Sequence, residues 1–140
     1  MANEAKLLVQ LEPAINFTCA DGTGIEKGAV LKLTHPMTAS LSTAASDYIA
    51  GICVGEKIAN NGINHVAVCR RGIYRMYCSG SITAGESVGP CISTDFPNYV
   101  MRAGVTISGS AIIGHALETA TAGNTFKVFL NVGGGGNQIS

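Results

Sequence analysis

The 140-residue chain has no tryptophan, only four Phe and four Tyr, and just 13% charged residues. Exposed aromatic platforms of the kind that bind sugars are therefore in short supply. Neither sign of charge prevails, since nine Lys plus Arg balance nine Asp plus Glu. Sequence-independent nucleic-acid binding relies on surplus cations to neutralise phosphates, and that surplus is missing. No apolar stretch approaches the ~18–20 residues of a membrane-spanning helix. The opening residues, Met1 to Lys6, include an acid and lead into an apolar run of only Leu7 to Val9, so a signal peptide is not expected. Five cysteines (Cys19, Cys53, Cys69, Cys78, Cys91) form no C-x-x-C pair and are odd in number. They read as reduced thiols of a chain made in a cytoplasm, not as a disulfide framework. Disorder is excluded, because 46% apolar residues with so little charge supply surface to bury.

What is abundant points to strands. Val, Ile and Thr number 34 against 19 for Leu, Glu and Lys, and 18 glycines punctuate short alternating segments. Ile15, Phe17 and Cys19 alternate with Asn16 and Thr18, and Phe126, Val128, Leu130 and Val132 alternate with Thr125, Lys127, Phe129 and Asn131. Asn60-Asn61-Gly62 separates Tyr48–Ile58 from Ile63–Arg70 as a tight turn would. A second turn at Arg71-Gly72 is expected to fold Ile73–Cys78 back, so that Val66 and Val68 share a core with Tyr74 and Met76. Small residues in Gly51–Gly55 leave room for another backbone. One pattern, a glycine, two variable residues and then an apolar residue that starts or continues a strand, occurs at Gly28, Gly85 and Gly123. Its unequal intervals of 57 and 38 residues rule out a fixed-period solenoid. The fold expected from this spacing is an all-β sandwich or barrel over residues 13–132. A flexible N-terminal arm over 1–12 and a flexible Gly-rich tail over 133–140 flank it.

Signatures of chemistry are sparse. His65 and Cys69, four apart, are the only metal hint, and no second pair completes the four ligands of a structural zinc site. A cysteine beside His115 or His65 would need an activated thiolate, and no nucleophile, zinc-protease or P-loop motif occurs. Asp21, Asp47 and Asp95 sit in turn-like surroundings. No catalytic, cofactor or metal residue is assigned, and an enzyme is not expected. Two segments suggest partner binding instead. Lys6, Leu7, Leu8, Val9, Gln10 and Leu11 form an alternating stretch able to be the first strand of its own sheet or to add to a neighbour's edge. Arg70, Arg71 and Arg75, close to Tyr74 and Tyr77, form the one basic concentration, and Arg and Tyr are enriched at protein interfaces.

Four segments in order resemble the small capsid decoration (head-stabilising, cement) proteins of tailed bacteriophages. They are Ile49-Ala50-Gly51-Ile52-Cys53-Val54, then Arg71-Gly72-Ile73, then Ser81-Ile82-Thr83-Ala84-Gly85-Glu86-Ser87-Val88, then Ile113-Gly114-His115-Ala116-Leu117-Glu118 running on to Gly123. The likeness covers about Gly22 to Val132, and Glu86 stands where that group more often has Asp. It implies a compact small β-barrel or β-tulip-like single domain, in a virion protein made in the host bacterial cytoplasm and placed on the capsid exterior. There it would be a homotrimer at three-fold positions, clamping neighbouring major capsid protein subunits of an expanded head, with no cofactor, nucleic acid or membrane involved. The other reading is a receptor- or carbohydrate-binding β module on a virion or appendage.

Overall fold

A computed structural model describes residues 4–34, 36–43, 48–90, 98–102 and 112–132. The expected Gly-rich tail, His35, Asp47, Cys91 and Asp95 lie outside the described residues. Among those described there are eleven strands and no helix. They are β1 (Lys6–Gln10), β2 (Ile15–Thr18), β3 (Val30–Thr34), β4 (Thr38–Leu41), β5 (Ile49–Cys53), β6 (His65–Cys69), β7 (Arg71–Cys78), β8 (Ser87–Pro90), β9 (Tyr99–Arg102), β10 (Gly114–Ala116) and β11 (Thr125–Asn131).

The all-β barrel class expected from the sequence is what the chain builds, but it builds two barrels. Strands β2, β4, β3, β5 and β6 close the first. In the second, β7, β11, β10, β8 and β9 follow one another, and a parallel pairing of β9 with β7 completes the circle. The pairings match one for one. A parallel contact closes each barrel, β2 with β4 and β7 with β9, and every other neighbour is antiparallel. Turn hydrogen bonds match as well. Gly28 N–H donates to Cys53 O and Gly85 N–H to Ala116 O, both at 2.8 Å. Ile25 exchanges backbone bonds with Lys57 as Ile82 does with Ala120. The 57-residue interval between Gly28 and Gly85 is therefore the spacing of a duplicated unit. Both glycines turn the chain with positive φ, 90° and 95°. Gly123, at φ 84°, has its first-barrel counterpart in Asn60 at φ 60°, so an asparagine hides one instance of the pattern.

Alternation sorts side chains into the barrel interiors. Phe17, Leu31, Val66 and Val68 fill the first, while Met76, Val88, Phe126 and Val128 take the matching places in the second. The expected fold-back at Arg71-Gly72 does not occur. Val66 and Val68 belong to one core and Tyr74 and Met76 to the other. Gly72 lies inside β7, where a Cβ would come within 2.6 Å of Val9 O, so its smallness admits β1 and makes no turn.

The outer side of the first barrel (Val30, Ile49, Ile52, Cys69) joins the end of the second (Tyr74, Leu130) in one buried cluster. Asn98 Oδ1, from the second barrel, accepts Val30 N–H at 3.0 Å in that interface. Of the expected flexible arm, residues 6–10 are instead the paired edge strand β1, the alternative the alternation left open. Ala5 N–H donates to Gly28 O at 2.8 Å, so this segment ties the first barrel to the second.

Candidate partner-binding face

The two segments singled out in the sequence converge on the outer face of the second barrel. Strand β1 runs antiparallel to β7, setting Lys6 opposite Arg75, Leu7 opposite Tyr74, Val9 opposite Ile73 and Gln10 opposite Gly72, with a bulge between Leu7 and Val9. On the other side of β7, β11 sets Lys127 opposite Arg75, Phe129 opposite Ile73 and Asn131 opposite Arg71. Tyr74, Met76, Val128 and Leu130 point inward and are fully buried, so their neighbours along each strand face outward. Two transverse rows result: Lys6–Arg75–Lys127 and Val9–Ile73–Phe129. Arg71 covers the second row, its guanidinium 5.9 Å from the centre of the Phe129 ring. Arg75 Nη1 donates to Thr125 Oγ1 at 3.4 Å. Above it Tyr77 stacks on Tyr99, centroids 5.6 Å apart.

Beside these rows β1 ends its sheet, and its outward apolar side chains stay in water. Leu8, Val9 and Leu11 are 38%, 45% and 45% exposed. Leu7 turns inward and packs against the core. Leu11 N–H reaches Arg71 O at 3.3 Å, which fastens the far end of the strand.

Arg70 departs from the cluster. It links β6 to β7 and stacks 5.9 Å over the ring of Phe17, closing the end of the first barrel. Its counterpart in the second barrel is Leu130. Sequence reasoning missed Lys127 and Phe129 as members of the face. Their outward phase was visible in the alternation of 125–131, but pairing with a strand some fifty residues earlier carries no local signal.

The thiols offer little chemistry. Cys19, Cys53, Cys69 and Cys78 are buried free thiols, in no disulfide. Burial pushes the Cys53 thiol up to about 11 and also raises Cys19 and Cys78, opposite to what a nucleophile requires. His65 is exposed where Cys69 is buried. Among the described residues no three metal-ligating side chains gather. Tyr74 is 1% exposed, and its hydroxyl makes no hydrogen bond of normal geometry. Burial drives its pKa well up, and the adjacent Cys69 adds to the shift.

One cation is withdrawn from water. Lys57, 4% exposed, donates to Asp21 O (3.0 Å), Asp21 Oδ1 (3.0 Å), Ile58 O (2.8 Å) and Asn61 Oδ1 (3.1 Å). The hydrogen bond from Lys57, aided by Gly62 N–H, holds the Asp21 carboxyl below its usual range. Its place in the second barrel is taken by Ala120, so this anchor stiffens one barrel's turn and not the other's.

Fold and face together define a tandem-barrel β protein with an open edge strand and a cationic, partly apolar flank. Among solved structures, the chain is similar to the N base of head fiber gp8.5 of bacteriophage phi29. That likeness has a TM-score of 0.53 at 12% identity, covering 84% of this chain and 94% of the other, and at that identity it concerns the fold. No family model matches the sequence, and no curated protein does.

Proposed function

We propose that this chain is a structural, non-enzymatic virion protein that binds the outside of a phage head. On this reading it clamps neighbouring major capsid protein subunits of the expanded shell. The observation that carries the reading is a fold shared along most of both chains with a head-fiber base. The ordered decoration-protein motifs of the sequence point the same way. The contact we assign is the free edge of β1, with Leu8, Val9 and Leu11 exposed along it, beside Arg71 and Arg75. A capsid segment added there gains main-chain hydrogen bonds, and side chains set its register. Assembly as a homotrimer would let modest contacts act together through effective concentration.

Removing the whole N-terminal segment is a poor test, because Leu7 and Ala5 belong to the core. The sharper variant carries Leu8→Asp, Val9→Asp and Leu11→Asp, three exposed positions. Co-sedimentation with expanded heads of the encoding phage is expected to fall roughly tenfold or more, with the circular dichroism spectrum unchanged. Full binding by this variant removes the edge as the anchor. Native mass spectrometry of the free protein tests the trimer, and a monomer at all concentrations confines trimerisation to the capsid surface.

A further inference from the structure

We propose that the outer face of β1, β7 and β11 docks on a carboxylate-bearing protein surface. The row Lys6–Arg75–Lys127 would take the acids, and the row Val9–Ile73–Phe129 the apolar side chains between them. The inference deepens the partner-binding reading by naming the partner's chemistry, and it rests on that reading.

Three observations carry it. First, register places three cations side by side across three adjacent strands. Directly opposed like charges weaken a sheet, so the row costs the isolated fold something that folding alone does not explain. Second, none of the three cations is in an ion pair among the described residues, where the ion pairs lie elsewhere, Lys57 with Asp21 and Arg102 with Glu86. Glu118 approaches one end of the row, but its Oε1 accepts the backbone N–H of Lys127 at 3.0 Å. In a chain of zero net charge, this is a local field and not a general basicity. Third, the neighbouring row is apolar and capped by Arg71 on Phe129. Interleaved Arg, aromatic and aliphatic groups are the composition of protein interfaces.

The same features decide among occupants. A nucleic-acid strand would need cations that track its backbone, whereas here one row is followed by an apolar one. A second copy meeting this face with its own would oppose cation to cation. Lys on an edge strand can serve merely to deter pairing, but β1 leaves Leu8, Val9 and Leu11 exposed on that edge, which invites it.

The test uses the full isotope-labelled chain and three probes followed by NMR: a capped peptide of alternating valine and glutamate, its valine–lysine counterpart, and an oligothymidylate. The acidic peptide is expected to shift amides of β1, β7 and β11, with affinity that falls as salt rises. The double variant Arg75→Glu, Lys127→Glu is expected to bind it roughly tenfold more weakly, with unchanged circular dichroism. Shifts centred elsewhere, equal binding of the valine–lysine peptide, preference for the oligothymidylate, or no binding by any probe would overturn the inference. Expanded heads separate the two claims. Undiminished head binding by the charge-reversed variant defeats the acidic-partner inference and leaves the capsid reading standing. A wild-type chain that binds the acidic peptide but no heads does the reverse.

Discussion

At the end of the second barrel, Tyr74 and Leu130 are buried against the side of the first; at the same places in the first barrel stand Ile15, 42% exposed, and Arg70. The two barrels thus repeat a hydrogen-bond plan while their surfaces have taken different work. One end became the internal joint. The other stays in water, closed by a guanidinium lying over Phe17. Arg in place of Leu suits an end left in water, because an Arg head group stays solvated while its stem covers apolar surface.

The largest expected effects test the shared plan itself. Gly51 in β5 and Gly114 in β10 are counterparts, and a Cβ on either would overlap a backbone carbonyl oxygen, that of Cys69 or that of Phe129. Gly51 also has φ of 149°. Neither obstacle is the movable tip of a side chain, so Gly51→Ala and Gly114→Ala are each expected to lose more than about 4 kcal/mol in urea unfolding. Tolerance of one and not the other would mean that the barrels close differently.

Next comes the contrast between the ends. Tyr74→Ala opens a cavity at the joint and is expected to cost about 4 kcal/mol, whereas Ile15→Ala, at an exposed counterpart, should cost less than about 1 kcal/mol. Similar losses at both positions would show that Ile15 is covered in solution. Tyr74→Phe refines this further. It removes a buried hydroxyl with no hydrogen bond of normal geometry and should raise stability by about 1 kcal/mol; a loss instead would reveal a partner for that oxygen.

How much of this was legible in the sequence follows from what alternation and turns encode. Alternation marked 15–19 and 125–132 as strands with the right inward faces, and Asn60 and Gly62 do take the positive φ their positions suggested. The small face at Gly51 did signal a close backbone approach. Duplication was hidden because the spacing between counterparts drifts. It is 59 residues at Phe17 and Met76, 57 at Gly28 and Gly85, and 63 at Gly51 and Gly114, as loops lengthened and shortened. Asn60 in place of a glycine masked another instance. Gly72 misled because glycine answers two needs, a turn or a close approach, and only β1's position tells them apart. The partner face was half visible. Arg70, Arg71 and Arg75 stood out by charge and Lys6 by its place in an alternating stretch; Arg70 lies off the face, and Lys127 joins it through a long-range register that no local pattern encodes.

A further contrast between the barrels concerns Lys57, whose second-barrel counterpart is Ala120. Its ammonium ties Asp21, through O and Oδ1, to Ile58 O and Asn61 Oδ1 of the turn over residues 58–62, so Lys57→Met keeps the apolar stem and discards those hydrogen bonds. The cost should be about 2 kcal/mol, held down because the Asp21 side chain left behind is 41% exposed and can rehydrate. The pH dependence gives a cleaner signature than the size. Asp21 has its pKa lowered in the folded chain. Its contribution is therefore complete above the unfolded value of about 3.9 and fades as pH falls through the lower folded one. The wild-type chain should show an added stability loss in that acid window, and Lys57→Met should show a smaller one while titrating alike above pH ~5. Part of the acid sensitivity survives in the variant because Asp21 keeps its hydrogen bond from Gly62 N–H. An unchanged acid limb would show that the buried ammonium anchors the turn through the carbonyls alone.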